Sequence, residues 1–321
     1  MSYIIDSHHI TMSVNGAQED VDFHVKVLGL RLIKRTVLFD GTLPIYHLYY
    51  SNADGDPSAV LTTFPFGQAG IYGRRGTNQA REVLLAVPAG SLNYWSSRLH
   101  ERAADVRDTT VFDRRRVLFR HPCGIEYQLV EVDDDPRRGY SGSGVPEEYA
   151  IHGIYGVGVH VTGPDTAVEF AANHLGAREG LTEGNRFALE AGKFGRGGAV
   201  ELIVNRTDEP GTWTYGAGTI HHFAWNADTL ENQDNLKFEI EGAGYTDMSE
   251  VRDRKYFKSV YVRSPGGALF ELAVTHNEGG WDCDESPQEL GKRFQLPEQF
   301  EARRDEILGR LEPIRLPETA E

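Results

Sequence analysis

The sequence predicts an α+β fold: four βαβββ modules forming two open β-cups, with a C-terminal helical tail. Two observations carry this. Four segments repeat one order of elements, an apolar strand, a helix, then several strands ending on an apolar phrase. Such self-similarity marks a repeated supersecondary unit. The 35 glycines are spread along the chain between short apolar runs, as suits a protein of strands and turns.

The first module (1–75) opens on a strand at 9–14. Its helix is expected over 19–28 and ends at Gly29, where left-handed backbone is tolerated. Strands follow at 30–39, 45–51 and 58–64, with Asn52-Ala53-Asp54-Gly55-Asp56 as the turn between the last two. The second module (76–135) opens at 82–87, has a helix near 91–103 and ends on a strand at 124–132. Residues 136–150, with Arg137-Arg138-Gly139 and Ser141-Gly142-Ser143-Gly144, read as a linker. The third module (151–210) opens at 154–161, has a helix at 165–175 ended by Gly176, and closes at 199–204. The fourth (211–280) opens at 221–226, has a helix near 228–242 and closes at 268–275. Phe23, Val27 and Leu28 of the first helix answer Phe170, His174 and Leu175 of the third. In the tail (281–321), the spacing of Leu290, Phe294, Phe300, Ile307 and Leu311 predicts two short helices within 285–314. Pro313, Pro317 and the final acids should end in a frayed terminus.

Composition sets the broad class. The chain has 321 residues, 40% hydrophobic and 25% charged, with a mean hydropathy of −0.43. That is an ordinary globular protein with room for about two domains. A net charge of −15 argues against nucleic acid as a partner. The one basic cluster, Arg114-Arg115-Arg116, is short, follows Asp113 and reads as a solvated strand entry. No apolar run reaches the roughly 18 residues of a membrane span, and no signal-peptide pattern opens the chain. A cytoplasmic protein with Cys123 and Cys283 as reduced thiols is expected.

The chemistry concentrates in three phrases. They are His8-His9-Ile10-Thr11-Met12-Ser13-Val14, His221-His222-Phe223-Ala224-Trp225, and Pro265-Gly266-Gly267-Ala268-Leu269-Phe270-Glu271-Leu272. Two imidazoles and one carboxylate form the facial triad of non-haem iron(II) sites, which leaves positions open for substrate and oxygen. Side chains alternate along a strand, so only one of two adjacent histidines should point into a given cup. Glu271 lies in an otherwise apolar strand, where an inward carboxylate is costly unless paired or metal-bound. An outward, solvated glutamate is the alternative. Thr11 shares the strand face of His9 and can line the same cavity.

With these phrases the chain resembles the vicinal oxygen chelate superfamily, and within it the ring-cleaving dioxygenases similar to hydroquinone 1,2-dioxygenases. Further matching residues are Arg35-Thr36-Val37-Leu38-Phe39-Asp40, Tyr46-His47-Leu48-Tyr49-Tyr50 and Thr62-Thr63-Phe64-Pro65-Phe66. Later matches are Asp253-Arg254-Lys255-Tyr256-Phe257-Lys258-Ser259-Val260-Tyr261, Asp284-Glu285 and Glu289-Leu290-Gly291. The resemblance runs from His8 to about Ile314.

It implies that the second histidine of each pair is a ligand, so that His9, His222 and Glu271 hold the metal. The metal would be Fe(II), with Mn(II) or Zn(II) able to take its place in a purified sample. The partners would be a small aromatic substrate and O2, and a homo-oligomer is left open. The resemblance places His8 and His221 beside the ligands or at the substrate mouth, with plain packing as the alternative. Arg254 and Tyr261 match residues near the substrate, where a guanidinium can stabilise a phenolate and a phenol can bond substrate or oxygen. The alternative is a surface arginine and a core tyrosine. With Thr11, these four are the catalytic candidates. Tyr256, Phe257 and Trp225 are either apolar walls or core.

The equivalent positions in the other modules differ. Gly156 replaces the ligand histidine in module three and Glu82 takes the place in module two. Gln128 replaces the glutamate in module two, and Thr62 or Thr63 lies near it in module one. Glu201 is the one rival carboxylate. Modules two and three are therefore expected to hold no metal, and modules one and four must share a cup. A glyoxalase-type lyase or isomerase, the first rival reading, would want a second carboxylate where Thr62 and Thr63 stand. A non-catalytic binding protein of the same fold is the second. His24, His47, His100, His121, His152, His160, His174 and His276 show no ligand pattern and are expected to be structural or surface residues.

Overall fold

The computed structural model describes residues 3–38, 44–192, 200–207, 211–275 and 280–316. Phe39, Ala199, His276 and the terminus from Pro317 onward, all named above, lie outside these residues. The elements fall into four repeats of strand, helix and three strands. The first comprises β1 (Asp6–Ser13), α1 (Ala17–Val21), β2 (Arg31–Val37), β3 (Tyr46–Ser51) and β4 (Val60–Phe64). The second comprises β5 (Gln79–Pro88), α2 (Leu92–Arg102), β6 (Ala104–Val111), β7 (Arg114–Arg120) and β8 (Glu126–Val132). The third comprises β9 (Gly153–Val161), α3 (Pro164–His174), β10 (Arg178–Glu183), β11 (Arg186–Ala191) and β12 (Val200–Arg206). The fourth comprises β13 (Thr219–Asn226), α4 (Leu230–Gly242), β14 (Arg252–Asp253), β15 (Phe257–Arg263) and β16 (Leu269–Thr275).

Two eight-stranded sheets result. One has the order β14-β15-β16-β13-β1-β4-β3-β2 and joins the first and fourth repeats. The other has the order β10-β11-β12-β9-β5-β8-β7-β6 and joins the second and third. Each sheet has an approximate twofold. Its two repeats meet at an antiparallel central pair, β1–β13 or β5–β9, while the first and last strands of each repeat pair in parallel. Segments that connect the sheets pair with one another, through bridges Tyr72–Ala217, Arg74–Thr214 and Thr77–Thr212. One buried apolar cluster runs through both sheets, from Ile10 and Met12 to Val83, Leu85 and Val157.

The first helix departs from expectation. Only Ala17–Val21 is α-helical, and Asp22–Val27 continues as a π-helix in which the Leu28 N–H donates to the Phe23 carbonyl. Asp20 and His24, four residues apart, both face inward, and the hydroxyls of Tyr50 and Thr63 donate to Asp20 at 2.7 and 2.5 Å. Gly29 (φ +72°) ends this helix in left-handed geometry, as Gly176 (φ +63°) does after α3.

The tail also differs. Residues 285–296 form turns rather than a helix, and the one tail α-helix among the described residues is α5 (Arg304–Arg310), preceded by a 3-10 turn at Glu298–Arg303. The physical reason is docking on β2. The Lys34 ammonium, fully buried, reaches Asp284 at 2.6 Å and Glu285 at 2.7 Å. The Gln295 N–H donates to the Arg35 carbonyl at 2.8 Å, and Gly291 (φ +77°) lies against the Leu32 carbonyl. Leu290 and Phe294 thus share a helical spacing without a helix. Among the described residues no helix is long and apolar enough to cross a membrane.

Candidate metal centre

The antiparallel centre of the first sheet builds the site. Thr11 on β1 lies opposite His222 on β13, His9 lies opposite Ala224, and Ala224 pairs with Glu271 on β16. These registers bring His9, His222 and Glu271 to one face. His9 Nε2 is 3.0 Å from His222 Nε2, and Glu271 Oε2 is 2.9 Å from His222 Nε2 and 3.6 Å from His9 Nε2. All three are buried.

Strict strand alternation fails at both histidine pairs, for an identifiable reason. The β1–β13 register slips at His8 and again at His221. Each is the extra residue of a bulge, which re-aims a side chain. His8 and His221 therefore stay beside the histidines that follow them, with Nδ1–Nδ1 distances of 2.8 Å (His8–His9) and 2.6 Å (His221–His222).

The hydrogen-bond network accommodates a ligating set of tautomers. If His9 and His222 each donate Nδ1–H to the preceding histidine, both Nε2 lone pairs face the centre. His8 then donates Nε2–H to Thr275 Oγ1 at 2.9 Å. Neither carboxylate oxygen of Glu271 has a hydrogen-bond partner. Converging lone pairs beside a buried, unpartnered carboxylate are unfavourable unless a cation lies among them. A first-row divalent ion with bonds of about 2.1 Å sets ligands at right angles about 3.0 Å apart, which matches the His9–His222 and His222–Glu271 spacings, while His9–Glu271 is wider. Burial lowers the His8 imidazole to about 4 and His221 and His222 to about 3, so these rings stay neutral. Neutral imidazole is the ligating form, and bonding through the other nitrogen is the usual way a ligand ring is oriented.

A cavity of 240 Å³ opens over the centre. Leu38, Phe64, Phe66 and Phe257 form apolar walls, and Thr11, His221, Arg254 and Tyr261 also line it. The Arg254 guanidinium lies 5.7 Å from the Tyr261 ring centroid, with Nη2 3.4 Å from the hydroxyl. His8 is not among the lining residues; it sits behind His9, against Phe257 and Trp281. Of the possible aromatic walls, Trp225 is core, packed on Phe223 and Phe270. Tyr256 is buried with its hydroxyl 2.9 Å from Asp284. A larger cavity of 560 Å³, lined by Arg31, Arg98, Tyr140 and Leu290 among others, touches none of the triad.

Sequence reasoning passed over His47, which lines the cavity with Tyr49. Its one signal was position: β3 runs beside β4 with Tyr49 opposite Thr62, so the residue two before Tyr49 shares that inward face. It also passed over a buried group of Asp20, His24 and His121. Asp20 Oδ1 is 3.1 Å from His24 Nδ1 and 3.3 Å from His121 Nε2. This group is bonded differently from the triad, although Asp20 Oδ1 and His121 Nε2, like the Glu271 oxygens, make no hydrogen bond. His121 Nδ1 accepts the Cys123 N–H at 3.0 Å, which leaves the proton on Nε2, toward Asp20. The other Asp20 oxygen accepts two hydroxyls, and His24 Nε2 bonds the Tyr127 hydroxyl at 3.0 Å. It is a hydrogen-bonded buried anion. Burial alone would raise the Asp20 carboxyl; His24 and His121 outweigh it and hold the group well below the usual carboxylate range.

In the second sheet a guanidinium takes the central role. Arg116, fully buried, bonds both Glu201 oxygens at 2.9 and 3.1 Å and Gln128 at 3.2 Å. Gln128 bonds Glu82, whose other oxygen is 2.6 Å from His160 Nε2. The rival carboxylate Glu201 is thus held by an arginine.

No family model matches the chain. It is 39% identical over 309 residues to a chlorohydroquinone/hydroquinone 1,2-dioxygenase of Sphingobium indicum, covering 94% of each chain. It is 33% identical over 302 residues to a provisionally named ring-cleaving dioxygenase of Bacillus subtilis, covering 94% of this chain and 96% of that one. A crystal structure of a Bacillus subtilis protein described as a dioxygenase superposes with a TM-score of 0.90 at 32% identity, covering 99% and 100% of the two chains. Maize glyoxalase I shares the fold, with a TM-score of 0.60 at 10% identity over 84% of this chain and 92% of that one.

Proposed function

Since the chain belongs to the ring-cleaving dioxygenases of the vicinal oxygen chelate superfamily, we propose that it uses iron(II), held by His9, His222 and Glu271, to open a hydroquinone or closely related dihydroxylated ring. One observation carries the choice of centre. Two imidazole Nε2 atoms and a carboxylate without a hydrogen bond converge within 2.9–3.6 Å on the floor of an aromatic-walled cavity. A metal bound there supplies Lewis acidity and a template for ring and dioxygen.

The chain's own groups do the rest. Arg254, beside Tyr261, favours the ionised form of a substrate hydroxyl. In the ligating set of tautomers His221 accepts from His222 through Nδ1, and its remaining N–H at the cavity wall can donate a hydrogen bond to an ionised ring oxygen. Phe64, Phe66 and Phe257 hold the ring and exclude water. A volume of 240 Å³ lies below the roughly 300 Å³ at which drug-sized pockets begin, and suits a single ring.

Glyoxalase-type chemistry is disfavoured by the register. Thr11 pairs with Thr62 as Ala224 pairs with Glu271, so a threonine stands where the second carboxylate would. Thr63 points to the opposite face, toward Asp20. Anaerobic reconstitution with iron(II), followed by oxygen uptake on substituted hydroquinones, tests the proposal. Uptake that requires iron and ring together is expected; no uptake across hydroquinones and catechols would end it.

A further inference from the structure

We propose that Tyr49, held in place by His47, reads a second hydroxyl of the substrate ring, the one remote from the metal. The inference rests on the reading above and adds a specificity-determining residue to it.

The approximate twofold of the first sheet carries the argument. It relates β16 to β4 and β15 to β3. Across β15–β16, Tyr261 lies opposite Glu271; across β3–β4, Tyr49 lies opposite Thr62. Tyr49 is therefore the counterpart of Tyr261, as Thr62 is of Glu271. One half of the cup carries the carboxylate ligand and a tyrosine. The other carries a threonine and a tyrosine, and offers no carboxylate to a metal.

That second half is built with care for its hydrogen bonds. The Tyr49 hydroxyl is 2.9 Å from His47 Nδ1, His47 Nε2 is 3.1 Å from Thr62 Oγ1, and Thr62 Oγ1 is 2.8 Å from Thr11 Oγ1. The His47 ring stacks on Phe64 at 4.2 Å, which fixes its plane. All four residues are buried. Tyr49, His47 and Thr11 line the cavity, so the chain of bonds ends in it on both sides.

A neutral imidazole has one N–H and one lone pair. Burial and the nearby Arg254 keep His47 neutral. Burial keeps the Tyr49 hydroxyl protonated. If His47 Nδ1 donates to Tyr49, the phenolic proton is left for the cavity. If His47 Nδ1 accepts, a phenolic lone pair is left instead. In either case one hydrogen-bonding position of Tyr49 remains to be filled. A ring hydroxyl, able to donate or accept, fills it in both cases, and leaving a buried polar group unpaired carries a penalty. A ring with a hydroxyl at each end thus matches a cup with a metal in one half and a tyrosine in the other.

The test is binding without turnover. Hydroquinone and phenol are titrated under argon into the iron(II)-loaded full chain. Hydroquinone should bind about tenfold or more tighter than phenol. Tyr49→Phe should remove that difference and leave phenol affinity and iron content unchanged. His47→Leu should reduce the difference, and His47→Asn, which keeps a polar atom near the Nδ1 position, should restore part of it. Equal affinities in the unaltered protein overturn the proposal. So does a Tyr49→Phe variant that keeps the preference, or weakens both ligands alike as a merely structural residue would. Hydroquinone that binds with the expected preference yet consumes no oxygen would end the dioxygenase reading and leave this assignment standing.

Discussion

At the scale of single residues, each triad side chain has a distinct signal in sequence. His9 and His222 are each the fourth residue of the first strand of a repeat, and Glu271 interrupts an apolar strand. His47 has no such signal. Continuing the β3–β4, β7–β8 and β15–β16 registers, its counterparts in the second and fourth repeats are Arg116 and Ser259, so comparing repeats hides it. Glu271→Gln keeps the shape of the side chain and removes its charge. It should weaken iron binding by more than about tenfold, since even residues behind the ligands command tenfold to hundredfold effects. His8→Ala should fall within that hundredfold range, because His8 only orients His9. Competition against a chelator measures both; unchanged affinity in Glu271→Gln would remove that residue from the ligand set. Thr62→Glu places a carboxylate in the register of a fourth ligand. It should bind divalent metal more tightly and lose oxygen uptake, because a position needed by substrate or oxygen is filled.

At the scale of elements, the repeats are legible because period-2 and period-3.6 apolar spacing fix strands and helices locally. Two elements are governed by contacts that local spacing does not contain. In the first helix the turn widens over 22–27, where Phe23, His24 and Val25 are buried in succession, more consecutive inward residues than a 3.6 period provides. Residues 285–296 form turns rather than a helix because Lys34 and Arg35 hold them on β2. Lys34→Met should therefore act locally. It leaves Glu285, nearly fully buried, without its cation, and breaking a buried pair costs about 3–5 kcal/mol. Amide exchange should rise across residues 285–296 and stay unchanged in β1 and β13. Acid should have the same effect. Burial raises the Asp284 carboxyl, but its bonds to Lys255 and Lys34 outweigh this and lower it below its ordinary value. A depressed carboxyl stabilises the docked segment above the unfolded value of about 3.9 and loses that contribution as pH falls through the lower folded value. Protection in 285–296, taken against the intrinsic exchange rate at each pH, should therefore fall on acidification below about pH 4 in the unaltered protein. Acid-insensitive protection there would show that the ion pairs do not hold the segment.

At the scale of the whole molecule, the first and fourth repeats share one sheet, as the proposed ligand set, divided between β1, β13 and β16, requires. The second sheet repeats that architecture around an ion pair. What sequence comparison conveyed of it was the loss of ligands at Gly156 and Gln128. It did not convey the replacement cation, because Arg116 ends a run of three arginines of which the first two are exposed. The two sheets share one apolar cluster and are tied by the paired segments near Tyr72–Ala217 and Arg74–Thr214. A defect in the second sheet should accordingly be felt by the whole chain without altering the chemistry of the first. Arg116→Met strands Glu201 in the interior and should cost about 3–5 kcal/mol, while Arg116→Met with Glu201→Gln should recover much of it by removing the stranded charge. Calorimetry should show one transition, moved down in the single variant and partly back in the double, with iron affinity and oxygen uptake at the unaltered level in both. Two separate transitions, of which only one moves, would mean that the sheets melt independently and that the shared core does not couple them.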